Sequence, residues 1–330
     1  MDAIPFELYL VPALLAPIFL AWGANRVVDG ASALSFNLGM SPLLIGVLVM
    51  GFGTSLPELL VSLFSAVMGN SGLSLGNAYG SNIINIGLVL GLAAVLSPVI
   101  VKRHVVRREL PLLILATAIT AFFVVDFELS RSDGMILLAL FVILLVYLVR
   151  VSTREPATNE ESSLKNELGK QTMPLGKSIN YLVIGLVVIA ICSAALVWSA
   201  RGIVVNLGVS ELVVGVVLLA LATSLPELAV IVVAAKRQEH QLALGNVIGS
   251  NLFNTLAVVG TAGLITPSLL EAELVTRDLP VMFALTGVLT VMAYGWGRRT
   301  GVINKFEGVG LLLAVTLYLA YLVYTTPIFA

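Results

Sequence analysis

Thr54-Ser55-Leu56-Pro57-Glu58 recurs 169 residues later as Thr223-Ser224-Leu225-Pro226-Glu227. The same shift carries Gly46 onto Gly215, Gly76-Asn77 onto Gly245-Asn246, and Gly80-Ser81-Asn82 onto Gly249-Ser250-Asn251. It also carries Asn85 onto Asn254, Gly91 onto Gly260, Pro98 onto Pro267, and Arg108-Glu109-Leu110-Pro111 onto Arg277-Asp278-Leu279-Pro280. No gap is needed anywhere along this run, so the chain contains a duplication.

The composition says what was duplicated. Hydrophobic residues make up 58% of the chain and charged residues 11%, with a mean hydropathy of +1.04. A soluble domain carries roughly 25% charge, so this chain belongs in a bilayer. Uncharged stretches close to the ~20 residues that cross a membrane recur from end to end. Spans are predicted at about 7–34, 42–68, 73–97, 109–126, 133–150, 179–205, 211–235, 242–266, 278–295 and 305–325, with breaks at Gly, Pro, Asn and charged clusters. The expected fold is an all-α membrane protein of ten transmembrane helices in two five-helix repeats. The first repeat covers 1–150, a polar cytoplasmic linker 151–178, and the second repeat 179–330. Because five is odd, the second copy enters the membrane from the opposite face. This inverted repeat is an architecture through which transporters alternate access around a midplane site.

Lys and Arg fall mostly on one side of these spans: Arg26; Lys102, Arg103, Arg107 and Arg108; Arg150, Arg154, Lys165, Lys170 and Lys177; Lys236 and Arg237; Arg298, Arg299 and Lys305. The other side keeps Arg131, Arg201 and Arg277. The basic side is expected to be cytoplasmic, leaving both termini outside. Asp2 and Glu7, without a nearby Lys or Arg, make a poor signal-peptide n-region, so the first apolar stretch reads as a span. A net charge of −1 argues against nucleic-acid binding. Cys192, the single cysteine, excludes an intramolecular disulfide framework. There is no G-x-x-x-x-G-K-[ST] run, so transport would be driven by gradients.

Glu58 and Glu227 each lie within an apolar span, where a carboxylate costs several kcal/mol. Thr54 and Glu58 are i, i+4 neighbours and share a helix face, as do Thr223 and Glu227. Pro57 and Pro226 lack an N–H and clash with the carbonyl four residues earlier, so they are expected to distort their helices and free carbonyls near Gly51–Gly53 and Ala220–Ala222. Ser81 with Asn85, and Ser250 with Asn254, are further face-sharing pairs. Carboxylate, hydroxyl, amide and backbone oxygens, without thiolate or imidazole, form a hard-ligand set suited to Ca²⁺ or Na⁺ rather than zinc or copper. Two glutamates neutralise one divalent or two monovalent ions, and competition at one shared site is the basis of antiport. Gly76, Gly80, Gly245 and Gly249 are read as close-packing residues.

The doubled G-T-S-L-P-E and G-N-x-x-G-S-N-x-x-N runs resemble the α1 and α2 repeats of sodium/calcium exchangers in the calcium/cation antiporter superfamily, most closely the prokaryotic ten-helix type. The resemblance covers essentially the whole chain. It implies a central Ca²⁺ site built by Glu58, Glu227, Thr54 and Thr223. It also implies flanking Na⁺ sites using Ser55, Ser224, Ser81 and Ser250, with carbonyls at Gly51 and Ala220. Transport would proceed by sliding of the first helix of each repeat against the other eight. Several family members, the potassium-dependent ones in particular, carry an acidic residue where this chain has Asn254, which leaves the number of Na⁺ per Ca²⁺ open. The linker has no room for the large cytoplasmic calcium-sensing domains of animal exchangers.

The leading expectation is Na⁺-driven Ca²⁺ exchange, extruding Ca²⁺ across a prokaryotic inner membrane. There is no permanently bound cofactor, no enzymatic activity and no obligate protein partner; the partners are the transported ions and the bilayer. The alternative is H⁺/Ca²⁺ or other cation/H⁺ antiport through the same glutamates. A gated channel fits an in-plane pseudo-twofold poorly, and no hydrolytic Ser/His/Asp set lies in the spans. His104 and His240 are read as solvated loop residues, and Lys102–Arg108 as a topology determinant that could also touch anionic lipid. Asp126, Glu128 and Asp133 are taken as helix-end residues, and Trp22, Trp198 and Trp296 as interfacial or packing residues.

Overall fold

The computed structural model describes residues 6–69, 71–152, 173–206, 221, 223–295 and 301–325. Helices dominate it. In the first repeat these are α1 (Phe6–Leu38), α2 (Pro42–Thr54 and Leu56–Val67), α3 (Ser71–Ile84 continuing to Leu96), α4 (Glu109–Val124) and α5 (Arg131–Ser152). In the second they are α6 (Leu175–Asn206), α7 (Leu225–Lys236), α8 (His240–Phe253 continuing to Ile265), α9 (Leu274–Asp278 continuing through Leu279–Ala293) and α10 (Lys305–Thr325). Among the described residues seven helices are long and apolar enough to cross a membrane, and the two arms of α2 together make an eighth. The first half of the span expected at 211–235 lies outside the described residues, as do Ala220, Trp296 and most of the linker.

Local chemistry accounts for the breaks. Ser41 caps α2, its hydroxyl accepting from the Leu44 N–H at 3.3 Å, with Pro42 preset for the first helical turn. The two arms of α2 bend by 43° around Ser55, whose φ of −87° and ψ of 8° leave the helical region. Pro57, the second residue of the outer arm, has no N–H to offer the Gly53 carbonyl. Pro226 occupies the same place in α7 after Ser224. The sequence did not announce the wider π turns at Gly46–Gly51, Asn85–Leu90 and Asn254–Val258. The last two are equivalent under the 169-residue shift, so the distortion was duplicated with the helix.

Burial sorts the helices into centre and rim. The apolar window of α8 is wholly buried and that of α3 is 72% buried, against 22% for α1, α5 and α10. The rim helices instead present large apolar side chains such as Leu14, Ile18, Ile143, Ile191 and Leu317 outward, where lipid replaces water. α1 and α6 lie along one another as a pair. A Cβ on Gly30 would stand 2.8 Å from the Ser178 carbonyl, and one on Gly185 2.8 Å from the Gly23 carbonyl, so only glycine permits this approach. Two small antiparallel ribbons register the repeats against each other. β1 (Val99–Val101), after α3, pairs with β4 (Gly301–Ile303), before α10. β2 (Glu128–Leu129), before α5, pairs with β3 (Ser268–Leu269), after α8. Exchanging the repeats exchanges the ribbons, as an inverted repeat requires.

α2 and α8 cross with almost no space between backbones. A Cβ on Gly249 would lie 2.3 Å from the Val47 carbonyl, and one on Gly245 2.3 Å from the Leu43 carbonyl. The mirrored contacts of Gly76 and Gly80 would involve residues 212 and 216, outside the described set. Gly249→Ala is therefore expected to destabilise the protein by about 1–3 kcal/mol through overpacking. Gly310→Ala, where a Cβ meets nothing within 4 Å, should leave stability within about 1 kcal/mol of wild type or raise it. Thermal unfolding in detergent reads both.

Candidate cation site

The bend in α2 and the start of α7 bring the two repeated motifs together, and each motif serves the other's glutamate. The Ser55 hydroxyl donates to Glu227 Oε1 at 2.8 Å. Ser250, on α8, places its hydroxyl 3.3 Å from the same oxygen and 3.1 Å from the Gly51 carbonyl. Thr54 also faces the Glu227 carboxylate, and Thr223 and Ser81 face Glu58. Thr223 and Ser81 lie 3.1 Å apart, hydroxyl to hydroxyl. Ser250 reaches Gly51 because α2 and α8 touch there: a Cβ on Gly51 would stand 2.8 Å from the Ser250 nitrogen.

Both glutamates are 0% exposed. The carboxylates are close enough to repel one another. Neither is in an ion pair with a Lys, Arg or His among the described residues. Both oxygens of Glu58 and Oε2 of Glu227 have no hydrogen-bond partner there. Orphaned carboxylate oxygens at this depth are unfavourable by several kcal/mol unless a cation or proton neutralises them. The surrounding groups are all oxygen donors, and no cluster of three or more His, Cys, Asp or Glu occurs among the described residues. The arrangement can hold a hard cation between two carboxylates and pass it between them.

The remaining expected residues divide. Ser224 is buried in the mirrored place of Ser55, and its hydroxyl has no partner among the described residues. Asn85 is buried and its amide nitrogen donates to Asn251 Oδ1 at 3.2 Å across the α3–α8 crossing, which leaves its Oδ1 without a partner among the described residues. Asn254 is fully buried, with neither amide atom bonded among the described residues. Ala220 lies outside the described residues.

Two residues escaped assignment from sequence. Asn246 donates to Thr54 Oγ1 at 3.2 Å while the Thr54 hydroxyl itself points to the Met50 carbonyl, 3.0 Å away. Asn77 accepts from Thr223 at 3.3 Å and donates to the Glu58 carbonyl at 3.2 Å. Each asparagine orients the threonine of the opposite repeat. Their recurrence at the 169-residue shift was the available signal, although spacing alone does not separate an orienting amide from a packing one.

Comparison with known proteins identifies the family and the fold. The profile of the family described as "Sodium/calcium exchanger protein" matches residues 8–150 and 177–326. The putative antiporter CaxA of Alkalimonas amylolytica is 39% identical over 314 residues, covering 95% of this chain and 98% of that protein. The sodium/calcium exchanger MaX1 of Methanosarcina acetivorans is 30% identical, covering 94% and 97%. A solved structure of the sodium-calcium exchanger NCX_Mj, soaked with 2.5 mM Na⁺ and 10 mM Sr²⁺, superposes with a TM-score of 0.83 at 31% identity, over 96% of this chain and 99% of that one.

Asn246→Leu removes the donor that fixes Thr54 while keeping the side-chain volume. Loss of one such hydrogen bond, about 1 kcal/mol, should weaken equilibrium ⁴⁵Ca²⁺ binding to the purified protein roughly fivefold. An unchanged dissociation constant would remove Asn246 from the site's support.

Proposed function

Since the chain belongs to the sodium/calcium exchanger family, we propose that this membrane antiporter exchanges Na⁺ for Ca²⁺ and extrudes Ca²⁺ from a prokaryotic cytoplasm. One observation carries the reading. The buried carboxylates of Glu58 and Glu227, one from each repeat, lie close to one another among hydroxyl and carbonyl oxygens, and among the described residues no basic side chain is in an ion pair with either. Two negative charges balance one Ca²⁺ or two Na⁺, so occupation by one ion excludes the other, and that competition couples opposed fluxes. Glu58, Glu227, Thr54 and Thr223 would hold Ca²⁺. The serine hydroxyls of Ser55, Ser224, Ser81 and Ser250 and the Gly51 carbonyl would complete Na⁺ sites on either side, with Ala220 as the counterpart of Gly51. Asn85 and Asn254 would supply neutral amides, so the site carries no third carboxylate.

Alternating access would come from the α1–α6 pair moving as one body. Its two helices are joined by glycine contacts along their length, whereas the central helices α3 and α8 are buried on nearly all sides. At Gly53 the pair meets α2 through the Leu186 side chain, an apolar contact beside the motif that can slide without breaking hydrogen bonds. The Lys and Arg bias supports an orientation with the α2–α3 turn outside and the α7–α8 turn in the cytoplasm.

Proteoliposomes loaded with Na⁺ are expected to take up ⁴⁵Ca²⁺ at several times the rate of K⁺-loaded ones, with no requirement for a pH gradient. Uptake driven by a pH gradient and indifferent to Na⁺ would replace sodium by protons as the coupling ion.

A further inference from the structure

On the lipid-facing side of the α1–α6 pair, the Arg26 guanidinium stands 4.3 Å from the centre of the Tyr181 ring and 5.0 Å from that of Trp22. The Lys177 ammonium lies 5.6 Å from the same Tyr181 ring. Arg26 and Trp22 belong to α1, Tyr181 and Lys177 to α6, so the group straddles both helices. Among the described residues no carboxylate forms an ion pair with either cation. The neighbouring side chains are exposed and apolar: Ile18 is 65% exposed, Trp22 43% and Ile184 42%.

The depth of the cluster can be read from its neighbours. Asn25 and Asp29 both contact Arg237, in the turn that follows α7. Arg26 therefore stands where the helix core ends and the headgroup region begins, the level at which Trp and Tyr rings and basic side chains gather. Contact with two aromatic faces stabilises the guanidinium at such a site. It leaves the guanidinium fork and the ammonium without an anion. A phosphate oxygen supplies one, with charge-assisted and often bidentate hydrogen bonds.

The duplication provides an internal control. The 169-residue shift takes Trp22 to Ile191, Arg26 to Ala195, and Lys177 and Tyr181 back to Leu8 and Pro12. These positions are structurally equivalent. The close approach of Gly30 to the Ser178 carbonyl is matched by the Ser199 hydroxyl donating to the Tyr9 carbonyl at the other end of the pair. The helix pair thus packs in the same way at both ends and carries an aromatic pair at each, Tyr9 with Trp198 at 4.6 Å at the far end, yet among the described residues it sets two cations over the rings at one end only. Packing does not need them.

We propose that Arg26 and Lys177, framed by Trp22 and Tyr181, bind the phosphate of an anionic phospholipid in the leaflet on that side, bridging both helices of the pair. Only the consequence for transport rests on the antiport reading; lipid binding stands apart from it. Native mass spectrometry of the purified chain in mixed micelles, offering phosphatidylglycerol or phosphatidylcholine, tests the binding. Wild type should retain phosphatidylglycerol in preference, and Arg26→Gln with Lys177→Gln should lower that retention at least fivefold. Lys305→Gln, at the start of α10 and outside the α1–α6 pair, should leave it unchanged. If the first pair of substitutions prevents folding, Lys177→Gln alone, on the helix surface, should show a smaller loss in the same direction. Equal retention by wild type and variant, or no preference for the anionic lipid in wild type, overturns the proposal. In flux assays, phosphatidylglycerol in the liposomes should raise wild-type Ca²⁺ uptake several-fold and leave the double variant unaffected. Absence of flux in either lipid would count against antiport without touching the binding result.

Discussion

Two carboxylates fully buried in a membrane protein, without a basic partner among the described residues, set the terms for the rest of this structure. Glu58 and Glu227 cannot both be charged and unpaired in a low-dielectric core, so a cation or a proton must accompany them. Other features follow from that requirement. The bend at Ser55 and the prolines behind it turn hydroxyls and carbonyls toward the glutamates. Glycine contacts hold α2 and α8 close enough for Ser250 to reach both Glu227 and the Gly51 carbonyl. Asparagines one shell out fix the threonines. A site made this way would suit hard ions, to which it offers oxygen ligands.

Duplication explains how such a site arises from one motif. Each repeat supplies a glutamate and the hydroxyls that serve the other repeat's glutamate, as Ser55 does for Glu227. Neither half forms the site alone, and a ligand between them contacts both halves. Displacing one repeat's first helix against the core would then change access to the ion without dismantling its ligands, which fits the helix pairing of α1 with α6. The repeats are not identical, however. Glu227 accepts hydrogen bonds from Ser55 and Ser250, whereas among the described residues neither the Glu58 carboxylate nor the Ser224 hydroxyl has a hydrogen-bond partner. The two faces of the α1–α6 pair differ as well, with the Arg26 cluster at one end only.

Much of this was legible in the chain because the 169-residue shift is a long-range constraint written in local residues. It revealed the repeat, its inversion and both motif glutamates, but the expected pairing of Thr54 with Glu58 and Thr223 with Glu227 is crossed in the structure, where Thr54 faces Glu227 and Thr223 faces Glu58. Hydropathy located the described helices to within a few residues, most closely α10, expected and found at 305–325. What stayed hidden depended on how helices cross. The partnership of Ser55 with Glu227 spans 172 residues and needs the angle between α2 and α7. The π turns at Asn85 and Asn254 add a residue to a helical turn without changing its composition, and with the crossing of α3 over α8 they turn Asn85 toward Asn251. Asn77 and Asn246 repeat as faithfully as the ligands, so repetition alone did not distinguish their orienting role.

The central claim is that Glu58 and Glu227 complete one shared site rather than two independent ones. Equilibrium ⁴⁵Ca²⁺ binding to the purified protein, with Na⁺ as competitor, tests it most directly. A shared site predicts one Ca²⁺ per chain, competitive displacement by Na⁺, and loss of that Ca²⁺ in both Glu58→Gln and Glu227→Gln. One Ca²⁺ still bound with wild-type affinity in either single variant would contradict it.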